Sequence, residues 1–166
     1  MPKKKKKQSK ADFLRSWKIE YPPFQYQQLR YKNPPEKGVY WYYFSIERRT
    51  QDVEKYGVCI SCGKPVVVRG CQAGHFVAAH GCGRDLLFDP MNVNAECPGC
   101  NGKDQNHLLG YERTLIERYG EEAVQDLKQR FFEYKESTVP VKDWSRKEYI
   151  EKIKALKSYQ ERNATH

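Results

Sequence analysis

The sequence has no long hydrophobic run. Nothing in its 166 residues approaches the roughly 18 uninterrupted apolar residues of a membrane span, and the lysines at its start lead into no apolar stretch of the secretory-signal kind. These absences exclude a membrane role and lead us to expect a cytoplasmic protein. Apolar residues are scarce overall, at 39% against 31% charged, and the mean hydropathy is −0.91. A thin core with several solvated helices follows. Internal repeats are missing. Acid is missing from residues 1–10, which hold six lysines, Lys3, Lys4, Lys5, Lys6, Lys7 and Lys10. The net charge of +9 is therefore uneven, for residues 59–110 balance four basic against four acidic side chains. A basic run of this kind is disordered in isolation and suits a polyanion, because each neutralised phosphate releases condensed counterions. It also suits a solubilising tail or a nuclear-import signal.

Six cysteines are present, and in a reducing compartment their spacing favours metal over disulfides. Cys59-x2-Cys62 and Cys97-x2-Cys100 form two knuckles 34 residues apart, each followed or interrupted by turn residues (Cys62-Gly63, Pro98-Gly99). Two such knuckles supply the four thiolates of a tetrahedral structural Zn²⁺. Cys71 and Cys82 remain over as free thiols with no assigned role.

Around the knuckles the chain reads as helices. Residues 11–37 are rich in aromatics and proline, which predicts a short helix and then an extended, packed segment. From Gly38 to Tyr56 the apolar positions Val39, Tyr42, Tyr43, Ile46 and Val53 recur at near-helical spacing, and Gly57 closes the run. Beyond the second knuckle, Leu108, Tyr111, Leu115 and Tyr119 mark a helix ended by Gly120, and Ala123, Val124, Leu127, Phe131 and Tyr134 mark another, broken at Val139-Pro140. The last helix starts at Ser145 with a capping box to Glu148 and a staple from Trp144 to Tyr149, and its apolar face runs through Leu156.

Between the knuckles lie Ala73-Gly74-His75-Phe76, Leu86-Leu87-Phe88 and Asn92-Val93-Asn94. We expect a β-hairpin whose strand carries His75, then a loop with Asn92, then a helix opened by the second knuckle with Asn101 in its first turn. Zinc would hold hairpin and helix together, since elements of this size bury too little apolar surface to fix side chains unaided.

His75, Asn92 and Asn101, interleaved with the two knuckles, resemble the HNH (His-metal-finger) signature in its variant that ends in asparagine, as in endonuclease VII. A closer resemblance is to the lambdoid phage recombination proteins of the NinG/Rap family. It is carried by Cys59-Ile60-Ser61-Cys62-Gly63, Ala73-Gly74-His75 with an aromatic next, Leu-x-Phe leading to Asn92, and Cys97-x2-Cys100-Asn101. Beyond these come Tyr111, Leu115-Ile116-Glu117-Arg118 and Gly120-x-Glu122-Ala123-Val124. The resemblance spans roughly residues 36 to 160 and is tight from 59 to 124.

The resemblance implies that His75 is a general base, that Asn92 holds the loop, and that Asn101 binds Mg²⁺ or Mn²⁺. Those residue types suit phosphodiester hydrolysis. A neutral imidazole, ordinarily with a pKa of about 6.5, takes a proton from water near neutral pH, and an amide oxygen is a hard ligand for Mg²⁺. One departure stands out: many HNH nucleases place an acidic metal ligand directly before the histidine, where this chain has Gly74. His107, His80, Asp85, Asp89 or waters are the candidates to complete the site, and His107 ranks first because it is expected about two helical turns after Asn101. Lys103, near the expected helix start, is a candidate phosphate contact, as are Lys3 to Lys7.

The expected fold class is α+β, a zinc-stapled ββα-metal (HNH) core with flanking helices. Its expected parts are a disordered basic tail (1–10), an aromatic and Pro-rich segment with a lead-in helix (11–57), the nuclease module (58–111) and C-terminal helices (112–166). The expected function is metal-dependent endonucleolytic cleavage of branched DNA, a Holliday junction or D-loop, in phage recombination, by a homodimer. Two alternatives stay open: a zinc-ribbon-like DNA-binding protein with a degenerate nuclease site, and a nicking or homing-type HNH endonuclease.

Overall fold

A computed structural model describes residues 34–78, 83–102, 106–139 and 143–163, with side chains to 161. Its elements, in chain order, are α1 (Pro35–Lys55), a 3-10 turn (Val68–Gly70), β1 (Gln72–His75), α2 (Arg84–Leu87), β2 (Val93–Glu96), α3 (Pro98–Gly102), α4 (His107–Tyr119), α5 (Glu121–Glu136), α6 (Arg146–Ala155) and α7 (Lys157–Asn163). No helix among the described residues is long and apolar enough to cross a membrane. The chain divides into two compact units. One is Phe44–Asp143; the other joins the residues through Tyr43 to those from Trp144 onward.

Helix α1 opens on Pro35, whose fixed φ suits the first helical position, with Glu36 in its first turn. It stops at Gly57, and α4 stops at Gly120. Both glycines adopt a left-handed φ, 67° and 84° respectively. In the first unit the part of α1 from Phe44 onward covers a bare sheet edge. β1 and β2 pair antiparallel, Gln72 opposite Glu96 and His75 opposite Val93, and form the only sheet among the described residues. A two-stranded sheet leaves polar backbone groups unpaired at its edges. Here the Ala95 N–H donates to Asp52 Oδ2 (2.7 Å) and the Val93 carbonyl accepts from Arg48 Nε (3.1 Å). The Ala95 carbonyl accepts from the Ile60 N–H (3.0 Å). Arg48 and Asp52, one turn apart on α1, pair with each other at 3.0 Å. In the same unit, Ile60, Phe76, Val77, Leu86, Tyr111, Leu115, Val124 and Leu127 form one buried cluster.

The second unit is aromatic. Tyr40 meets Trp144 edge-on at 5.5 Å between centroids, Tyr43 meets Tyr159 at 5.1 Å, and Trp144 meets Tyr149 at 5.2 Å. The capping box at Ser145 is formed, its hydroxyl accepting from the Glu148 N–H.

Three expectations need correction. The loop with Asn92 does not follow a completed hairpin: residues 76–92 lie between the two strands, include the short helix α2, and place Asn92 immediately before β2. Asn101 and His107 do not share a helix, because α3 ends at Gly102 and α4 begins at His107. The last helix does not run through Leu156, which has an extended backbone (φ −70°, ψ 130°) and separates α6 from α7.

Candidate functional site

The ligand atoms of Cys59, Cys62, Cys97 and Cys100 all lie within 4.8 Å of one another. Local backbone geometry brings them there. Around the first knuckle the Cys59 N–H donates to the Lys64 carbonyl (2.8 Å) and the Gly63 N–H to the Cys59 carbonyl (2.9 Å), which folds residues 59–64 into a tight turn. The second knuckle begins where β2 ends, and its Cys97 N–H donates to Cys59 Sγ at 3.3 Å. Cys62 Sγ and Cys97 Sγ are 3.9 Å apart. A tetrahedron with Zn–S bonds of about 2.3 Å has edges of about 3.8 Å, so the quartet fits zinc in donor type and in spacing. Backbone N–H donation from Cys100 pulls the Cys97 thiol down to about 7, while burial pushes Cys59 and Cys100 up. Cys71 is buried outside this quartet, its Sγ 3.6 Å from the Val68 carbonyl.

A second cluster lies at Gly74. A Cβ added there would overlap Glu96 Oε2 and lie 3.1 Å from Asn101 Oδ1, so a carboxylate from the facing strand fills the space a side chain at 74 would need. Glu96 is fully buried. Its Oε1 accepts from Ser61 Oγ at 2.5 Å and lies 2.7 Å from His107 Nδ1. Its Oε2 is buried with no hydrogen-bond partner. The Asn101 amide is oriented by Nδ2 donation to Gln72 Oε1 at 2.6 Å, which leaves Oδ1 toward Gly74. Helix α4 reaches this place because Gly110 packs against the first knuckle, where a Cβ would overlap the Ser61 carbonyl.

His75, the next residue, ends β1 and turns its ring to a different neighbour. Its Nε2 is 3.0 Å from the Leu87 carbonyl. A carbonyl only accepts, so in the neutral ring Nε2 carries the hydrogen and Nδ1 the lone pair. Asn92 is fully buried and spans the inter-strand link: its Oδ1 accepts from the Val77 N–H and its Nδ2 donates to the Leu86 carbonyl, both at 2.8 Å. Tyr111, one turn after His107, donates its hydroxyl to the Gly74 carbonyl (2.9 Å) and accepts from Asn94 Nδ2 (3.1 Å).

The structure thus brings Asn101 and His107 together around Glu96, a residue that sequence reasoning missed. The signal was an acid just before the second knuckle, on a strand facing a glycine. Asp89 is engaged elsewhere, by Arg130 Nη2 at 2.7 Å and the Met91 N–H at 2.8 Å, and Asp85 is exposed beside Arg84. His80, Cys82, Lys103 and the lysines Lys3, Lys4, Lys5, Lys6 and Lys7 lie outside the described residues.

Comparison with known proteins assigns the family. The model of the bacteriophage lambda NinG protein matches residues 43–161, well over half of the chain. The chain belongs to the NinG family. It is 30% identical over 112 residues to the protein ninG of Salmonella phage P22, covering 68% of this chain and 52% of that relative. To the protein ninG of Escherichia phage lambda it is 28% identical over 113 residues, again covering 68% and 52%. To that of Escherichia phage 933W it is 33% identical over 82 residues, covering 49% and 38%. The chain therefore spans about half the length, or less, of these NinG relatives. No solved structure matches it. Both clusters, the cysteine quartet and the group at Gly74, fall inside the segment that matches NinG.

Proposed function

We propose that this NinG family member is a metal-dependent DNA endonuclease of the HNH kind. The observation that carries the reading is the end of β1. There His75 has its ring fixed by the Leu87 carbonyl, with the lone pair on Nδ1, and directly follows a glycine that lies against the Asn101 oxygen. In hydrolysis, His75 Nδ1 would accept the proton of the attacking water as its oxygen bonds to phosphorus and the phosphodiester P–O bond breaks. A divalent cation, when bound, takes up charge on the leaving oxygen, and Asn101 Oδ1 is a donor suited to it. Asn92 would keep the inter-strand link, and with it the Leu87 carbonyl, in register with the base. The cysteine quartet, loaded with zinc, would hold β2 and α3 to the first knuckle, so that His75 and Asn101 keep a fixed relation.

Branched DNA is the substrate class the charge distribution favours. Residues 59–110 are formally neutral, and a zinc with four thiolates adds net negative charge, so strong hold on a duplex must come from the flanks and the lysine-rich start. Convergent phosphates at a branch point suit scattered basic flanks. Two symmetric cuts across such a point call for a two-fold dimer. A second reading, a DNA-binding protein without cleavage, draws its support from Gly74 at the position where many HNH nucleases carry an acid. Incubating the zinc-loaded chain with a synthetic four-way junction and with a matched linear duplex, in Mg²⁺, separates the readings. Cleavage of the junction in preference supports the proposal; tight binding with no cut supports the second reading, and equal cutting by a monomer points to a simple nicking enzyme.

A further inference from the structure

We propose that Glu96 is the anionic ligand of a divalent-cation site beside Gly74, with Asn101 Oδ1 as the second protein oxygen. The inference rests on the nuclease reading for its purpose, though not for its geometry. At position 74 the chain has no acid to offer, and the carboxylate of Glu96 stands in the volume such an acid would occupy. Its two oxygens are treated differently. Oε1 is held between Ser61 Oγ and His107 Nδ1, which fixes the carboxylate plane. Oε2 is buried and meets no donor, an arrangement that is unfavourable for a charged oxygen unless a cation supplies the missing contact.

Asn101 Oδ1 converges on the same volume, with its orientation set by Gln72. Asn94, two residues from Glu96 and so on the same face of β2, adds another buried oxygen without a hydrogen-bond partner, Oδ1. A carboxylate and an amide oxygen select hard cations, Mg²⁺ or Mn²⁺, over the thiophilic zinc of the neighbouring quartet. Asn101 is half-buried and Gln72 exposed, so the Asn101 side of the site borders solvent, from which waters can complete the shell that Mg²⁺ prefers to retain. In this assignment His107 is a positioning residue that aims Glu96 and does not bind the cation through Nδ1. Gly74 is required because any Cβ would displace the ligand.

The test is Mn²⁺ binding to the zinc-loaded full chain, read from the loss of the free-ion EPR signal, with zinc content and circular dichroism followed in parallel. Wild type is expected to bind one Mn²⁺ beyond its zinc, and Glu96→Gln to lose that binding across the millimolar range while keeping zinc and helix content. The pair Gly74→Asp with Glu96→Ala, which moves the acid to the facing strand, is expected to restore it. Should Glu96→Gln fail to fold, Asn101→Asp decides the matter: an added charge is expected to tighten Mn²⁺ by about tenfold or more, and unchanged affinity overturns the site. Wild-type affinity in folded Glu96→Gln, or no Mn²⁺ bound by wild type, also overturns it. DNA cleavage separates the two proposals. A wild type that binds Mn²⁺ through Glu96 but cuts no DNA leaves the site standing without the nuclease, and one that cuts DNA while Glu96→Gln binds Mn²⁺ normally leaves the nuclease standing without Glu96.

Discussion

The sheet region and the aromatic unit are stabilised in different ways. Around β1 and β2 nearly every contact that fixes the site is directional. Asp52 and Arg48 hold the β2 edge, Asn92 spans the link between strands, Tyr111 joins α4 to Gly74, and the four cysteines converge on one point. In the unit that joins the residues through Tyr43 to those from Trp144 onward, the contacts include ring-on-ring pairs, a terminal cap, the Arg146–Glu36 ion pair at 2.8 Å and a hydrogen bond from Ser158 Oγ to the Tyr43 carbonyl at 2.9 Å. Ring packing tolerates small displacements, whereas a set of hydrogen bonds between 2.5 and 3.3 Å does not. Directional contacts are concentrated where chemistry is proposed, beside the buried apolar cluster of the same unit.

Removing the zinc should break this contrast most severely. Structural zinc contributes on the order of 10 kcal/mol in small domains. Cys97→Ser, or chelation under reducing conditions, should therefore abolish hydrogen-exchange protection in β1 and β2 and leave it measurable in α6; equal protection in both regions would refute a structural zinc. A smaller loss, about 3–5 kcal/mol, is expected for Asp52→Ala, which leaves Arg48 buried without its acid and the Ala95 N–H without its acceptor. Urea unfolding checks it, and a change under about 1 kcal/mol would mean that solvent replaces the pair.

Tyr149→Ala should cost about 3 kcal/mol by opening a cavity between Tyr40 and Trp144, without altering zinc content. A parallel drop in bound zinc would show that the two modes are not separable. Ser145→Ala is the mildest case. Loss of the cap at α6 should destabilise by about 1 kcal/mol, visible as a small shift in urea midpoint, and leave Mn²⁺ and zinc binding untouched.

What was legible in the sequence was local. The spacing of Cys59, Cys62, Cys97 and Cys100 announces a four-cysteine centre, Gly57 and Gly120 mark helix ends, and Ser145 with Glu148 writes the capping box within four residues. The illegible parts depend on register between distant segments. Glu96 reads as an ordinary acid beside a zinc knuckle until pairing of β1 with β2 brings it against Gly74, and until α4 brings His107 to its other oxygen. Nothing local to Arg48 and Asp52, one turn apart on α1, shows that the edge of β2 supplies their buried partners. The break at Leu156 carries no proline or glycine, and its apolar side chain continues the periodicity that suggested one unbroken helix.

Cleavage of a four-way DNA junction in Mg²⁺ by the zinc-loaded chain, run beside His75→Ala, tests the central claim most directly. The account predicts cutting by the wild type and a loss of at least about a hundredfold in rate for His75→Ala, as expected when a general base is removed, with zinc content and junction affinity preserved. Undiminished cutting by His75→Ala, or no cutting by a folded, metal-loaded wild type, would contradict it.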